Sequence, residues 1–113
     1  MPKLWKIDTE MQRWCGLLEA EVATWPQVTS KPMFGMISLY RGKNIFAAVP
    51  RTRAARTARS VLIKLPGVTD KRLKRSSGPG AGWITFELDS ESDIAEALQW
   101  LKQAYEKAKR RQR

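Results

Sequence analysis

The chain has 113 residues, the size of one domain with one core, and its 21 Lys and Arg against 11 Asp and Glu give a formal charge of +10. It contains no histidine and a single cysteine, Cys15, which excludes Ser-His-Asp triads, Cys-His dyads, histidine metal sites and intrachain disulfides. No apolar run approaches the roughly 20 residues of a membrane span, and the opening Met-Pro-Lys-Leu-Trp-Lys lacks the apolar region of a signal peptide, so a cytoplasmic protein is expected.

Residues 1–7 are expected to fray. The first element is a helix over 9–25, because Met11, Trp14, Cys15, Leu18, Val22 and Trp25 recur at the three- and four-residue steps that share one face. Thr9 and Gln12 suit a capping box, and Pro26 ends the helix. Tryptophans at helical spacing belong to a core, and Cys15 on the same stripe reads as a small buried hydrophobe instead of a reactive thiol. Residues 26–32 read as a connecting segment. A β-hairpin follows, with strands over 33–40 and 45–49 around the turn Arg41-Gly42-Lys43-Asn44. Its apolar residues fall on both faces, Met33, Ile37 and Leu39 on one and Phe34, Met36 and Tyr40 on the other, which predicts central strands covered on both sides. Gly35 marks a bulge or a close approach of another group to the backbone, with a packed side chain against it.

From 51 to 75, nine residues are basic and only Asp70 is acidic. Arg51, Arg53, Arg56 and Arg59 lie in a connector that reads either as a short helix, with Ala54, Ala55 and Ala58 facing the sheet, or as a solvated loop. A strand over 61–65 follows, with Lys64 read as an outward-facing lysine. Residues 66–82 form a long basic and glycine-rich loop. Within it, 70–75 reads as one helical turn with Leu73 inward, carrying Lys71, Arg72, Lys74 and Arg75. Ser76-Ser77-Gly78-Pro79-Gly80-Ala81-Gly82 reads as a flexible turn, since phosphate-binding glycine loops lead into a helix and this one leads into a strand. Strict alternation predicts a strand over 83–88, with Ile84, Phe86 and Leu88 inward and Trp83, Thr85 and Glu87 on the other face. Trp83 directly follows the basic loop; a tryptophan there more often covers a sheet edge or a second small core, but it is the aromatic residue of most interest because an exposed indole there would stack on a nucleobase. The last helix has Ser90 as N-cap, a buried stripe of Ile94, Leu98, Leu101, Tyr105 and Ala108, and acids early and bases late that complement its dipole. Residues 110–113 are expected to fray as a basic tail.

Met33-Phe34-Gly35, Leu39-Tyr40, Gly42-Lys43 and Phe46-Ala47, the strand ending near Lys64, and the Trp83 strand followed by a terminal helix resemble the N-terminal domain of TfoX-type competence regulators and the related MmcQ/YjbR group of small bacterial proteins. The resemblance spans most of the chain. It implies an α+β domain whose terminal helices pack on an antiparallel sheet and a DNA-binding or regulatory role, with no catalytic residues to carry over.

The expectation is thus a single α+β domain over 1–113, with an antiparallel sheet of about four strands packed by N- and C-terminal helices. The +10 charge favours anionic partners. A non-enzymatic nucleic-acid-binding or regulatory protein of low sequence specificity is expected, with Arg51, Arg53, Arg56, Arg59, Lys71, Arg72, Lys74 and Arg75 on phosphates and Trp83 stacking. The alternative is a protein-interaction or small-anion-binding module in which the same positive face meets an acidic partner. No cofactor and no metal are expected, and the protein is expected to be a monomer or homodimer.

Overall fold

The computed structural model describes residues 4–55, 57–66, 70, 73–75 and 82–110. Three expected basic contacts, Arg56, Lys71 and Arg72, lie outside them, as do the glycine-rich residues 76–81 and the tail residues 111–113.

Chain order is β1 (Trp5–Lys6), α1 (Thr9–Val22), β2 (Val28–Met33), β3 (Met36–Arg41), β4 (Asn44–Pro50), β5 (Arg53–Ala54), β6 (Ser60–Lys64), β7 (Leu73–Arg75), β8 (Trp83–Glu87) and α2 (Asp93–Arg110). The fold is α+β, as expected. Six strands form one antiparallel sheet in the order β2-β3-β4-β6-β8-β7, and β1 pairs with β5 in a separate two-stranded ribbon. Both helices lie on one face of the large sheet. Met11, Trp14, Cys15, Leu18 and Val22 of α1 and Ala97, Leu101, Ala104, Tyr105 and Ala108 of α2 form one core with Ile37, Leu39, Phe46, Ala47, Val49, Val61, Ile63, Ile84 and Phe86.

The sheet is wider than the expected four strands because two segments read as connections are strands. Residues 26–32 look like a linker because Pro, Ser and Lys interrupt them, yet β2 pairs with β3 along its whole length. Its composition is that of an edge. Gly42 N donates to Gln27 O (3.0 Å), which fixes the alternation and turns the backbone N–H positions of Val28, Ser30 and Pro32 away from β3. Proline has no N–H to present there, and Val28 N donates to Trp25 O (3.3 Å), so this edge is blunted against strand addition. The second addition is β7, where a helical turn was expected: Leu73 does point inward, but as an edge residue paired with Phe86.

Three further expectations are corrected. Residues 4–7 are not frayed: β1 pairs with β5, and Ile7 is buried in the core with its N–H bonded to Thr52 O (3.1 Å). Helix α1 is capped by Asp8, whose Oδ1 accepts from Met11 N (2.8 Å), and not by Thr9; it ends at Val22, with Ala23 as C-cap, and not at Trp25. Among its described residues, the connector after Pro50 forms no helix. It makes the two-residue β5, with Ala54 buried, before turning into β6.

The turn between β2 and β3 is Phe34-Gly35, with φ of 49° and 81°. Two positive φ values suit the right-handed twist of a two-residue hairpin. Gly35 O accepts from three successive N–H groups, Arg51 (3.0 Å), Thr52 (2.8 Å) and Arg53 (3.1 Å), and the side chains of Thr52 and Arg53 pack against the glycine, the close approach expected there. A Cβ on Gly35 would sit 2.8 Å from Thr52 Oγ1 and 2.9 Å from Arg53 Cγ. Gly35→Ala therefore adds left-handed strain to overpacking and is expected to cost about 2–3 kcal/mol. The check is urea denaturation, which should show a lower midpoint at unchanged slope. A wild-type midpoint would mean that the Arg51–Arg53 backbone shifts freely.

Candidate nucleic-acid interface

Alternation along the strands gives the large sheet a second face. Opposite the helices, Lys31, Ser38, Ala48, Leu62 and Thr85 follow one another across five strands, each paired with the next, and the register position of Lys74 completes the row on β7. A second row runs through Tyr40 and Ile45, which are partners, and then through Lys64 and Trp83, which are partners. The bulge at Leu39/Tyr40 turns Phe46 back into the core between these pairs. Along β3 and β4 this face is buried as well, with Met36 3%, Ser38 1% and Ala48 1% exposed, in keeping with the expected cover on both sides.

Tyr40 and Trp83 are both half-buried and stand three strands apart, about 14 Å at the usual interstrand spacing. Ser38, Ala48 and Thr85 are buried, and Leu62 is half-buried. Lys31 Nζ stands 5.4 Å from the Tyr40 ring centroid, and Lys64 is the direct neighbour of Trp83. Among the described residues of this face the one acid is Glu87, at its far end, where it accepts from Thr57 Oγ1 (2.9 Å). The face thus carries two separated, half-buried aromatic rings with a lysine beside each, above small side chains that are themselves buried.

The arginines of the connector sit elsewhere. Arg51 Nη2 pairs with Glu19 of α1 (3.2 Å). Arg59 Nη2 lies 3.7 Å from Asp8 at the start of α1, with its guanidinium 5.5 Å from the Trp14 ring centroid. Both belong to the helical layer, on the other side of the sheet from Trp83. Arg53 is exposed on β5, opposite Lys6. Lys74 and Arg75 lie on the edge strand β7 beside β8. The described basic residues that look contiguous in sequence are therefore divided: Lys64 and the register position of Lys74 share the face of Trp83, the register position of Arg75 pairs with the core residue Ile84, and Arg51 and Arg59 lie in the helical layer.

Sequence reasoning found Trp83 and the outward direction of Lys64 but missed Tyr40 and Lys31 as neighbours. The signal for Tyr40 was its place in the alternation with Met36. The signal for Lys31 was hidden because its segment did not read as a strand.

Cys15 is buried on the core-facing side of α1, and burial, with Glu19 nearby, pushes its thiol up to about 12, so it is not a thiolate at neutral pH. Among the described residues no three Cys, Asp or Glu side chains converge on a point that could hold a metal ion. No described helix is long and apolar enough to cross a membrane.

No family model, no curated protein and no solved structure matches this chain.

Proposed function

We propose that this is a non-enzymatic nucleic-acid-binding protein of low sequence specificity that receives unpaired bases on the outer sheet face. The observation that carries the reading is the pairing of two separated aromatic rings, Tyr40 and Trp83, with Lys31 and Lys64 on one sheet surface, in a chain of charge +10. Base stacking on aromatic rings tolerates any base, and lysines act on phosphate as point charges, so such a surface binds single strands without reading their sequence. An acidic protein surface would also pair with the lysines, but aromatic anchors of protein interfaces cluster at one desolvated centre, whereas these rings stand about 14 Å apart. The resemblance of the Met33-Phe34-Gly35 and Leu39-Tyr40 motifs to TfoX-type regulators agrees with a nucleic-acid partner, and a lone buried cysteine agrees with a cytoplasmic setting.

The test is fluorescence anisotropy of labelled single-stranded DNA, single-stranded RNA and duplex DNA across a salt series, with heparin as competitor. A +10 protein binds most polyanions at low salt, so the affinity near physiological salt decides. Single strands should then be held more tightly than duplex of equal length, with a log–log slope of about −2 to −4, as roughly three to five phosphate contacts give. Equal binding to heparin and to every nucleic acid would reduce the face to generic positive charge.

A further inference from the structure

Two locally unfavourable features meet at the far end of the β2–β3 hairpin. Phe34 has a positive φ of 49° and is 69% exposed, the most exposed of the large apolar residues described. Bulky residues rarely adopt that conformation, and at this turn position Asn or Gly would adopt it without strain. Nor does burial compensate, because the ring lies outside the hydrophobic core. Beside the turn, Arg53 stands directly opposite Lys6 in the β1–β5 ribbon, both exposed, and like charges facing across strands repel. The two features are in contact: a Cβ on Gly35 would touch Arg53 Cγ and Cβ at 2.9 and 3.0 Å, so the turn rests on the arginine stem.

Neither feature stabilises the free protein, and a nucleotide would relieve or use both. We propose that Phe34, Arg53 and Lys6 form a second nucleotide grip, in which Phe34 stacks on an unpaired base and the two cations hold the adjoining phosphate. The turn is fixed for this task, because three N–H groups from Arg51 to Arg53 converge on Gly35 O and tie the ring's position to that of Arg53. Met33, 38% exposed beside the turn, adds a polarizable apolar neighbour for the base. The grip would extend the path of a strand beyond the outer sheet face, and it rests on the nucleic-acid reading proposed above.

The experiment compares Phe34→Asn, Phe34→Trp and Arg53→Gln with the wild-type chain, using anisotropy of a fluorescent single-stranded oligonucleotide near physiological salt, alongside thermal denaturation. Phe34→Asn should raise Tm by several degrees, since Asn-Gly suits this turn, while weakening binding about 5- to 100-fold at an unchanged salt slope. Phe34→Trp should keep or improve affinity. Arg53→Gln should weaken binding and reduce the slope by about 0.7. If the wild-type protein binds the oligonucleotide and Phe34→Asn binds equally well, the grip is wrong while the sheet-face reading stands. A lower Tm in Phe34→Asn would make the ring a packing element and likewise overturn the grip. Failure of the wild-type protein to bind any single strand at that salt removes both readings.

Discussion

Replacing Tyr40 and Trp83 together by alanine is expected to weaken binding of a single-stranded oligonucleotide about 25-fold or more near physiological salt while leaving the salt slope unchanged. Each ring that stacks on a base contributes about 1–3 kcal/mol, so two contribute about 2–6 kcal/mol, and every 1.4 kcal/mol is tenfold in affinity. Neither residue carries charge, so the number of counterions released does not change. The two rings stand about 14 Å apart with two strands between them, beyond the range at which substitutions usually couple. The single variants should therefore each lose about 5-fold or more, and the double variant should lose roughly their product. Both rings lie outside the core cluster, so thermal denaturation of the double variant should still show one cooperative transition. Anisotropy titrations of the four proteins make the check. A double variant that binds like the wild type would move nucleic acid off this face altogether. One intact single variant would reduce the platform to one ring.

The residues explain how much of this was legible in the sequence. Periodicity located both helices and β8, because each buries one face and so repeats apolar residues at its own period, and short apolar runs located β3, β4 and β6, which are buried on both faces along much of their length. Edges escaped it. The exposed residues of β2 bury little and include Pro32, whose missing N–H is harmless only on an edge. The three-residue β7 is too short to show a period. The cap of α1 went to Asp8 in place of Thr9, a one-residue difference that composition alone does not resolve. For the candidate site the obstacle was three-dimensional. Charge density along 51–75 suggests one basic face, but Arg51 and Arg59 pair with Glu19 and Asp8 of the helical layer, and those acids are distant in sequence. Tyr40 and Trp83 come together only through the β3-β4-β6-β8 order. Phe34 looked like a strand residue because nothing in the sequence marks a phenylalanine with a positive φ.

The chain has two tyrosines, one on each side of the sheet, and they separate stability from binding. Tyr105, 3% exposed, joins the end of α2 to the rest of the fold. Its ring centroid lies 5.2 Å from that of Trp25, 5.8 Å from that of Phe46 and 3.9 Å from the Arg41 guanidinium, and its hydroxyl donates to Pro26 O (2.7 Å). Arg41 Nη1 also donates to Tyr105 O (3.2 Å) and Asn44 Nδ2 to Ala108 O (3.0 Å), so the two residues that close the β3–β4 turn bond carbonyls in the last turns of α2. Tyr105→Ala opens an aromatic-sized cavity, worth about 3–5 kcal/mol, and strips the guanidinium of its ring. Against a typical total of about 5–15 kcal/mol, that variant should be partly unfolded near 37 °C, with oligonucleotide binding falling in step with the folded fraction. Tyr105→Phe keeps the ring and removes one hydrogen bond, so it should lose about 1 kcal/mol in urea denaturation and nothing in affinity. Tyr40→Ala should do the reverse, losing affinity about 5-fold or more with little loss of stability. Tyr40 and Arg41 are consecutive on β3 and point to opposite sides, which makes the comparison strict. If Tyr105→Phe weakened binding as much as Tyr40→Ala, the sheet would be transmitting helix packing to its outer face, and the loss in Tyr40→Ala would no longer report a base stacked on its ring.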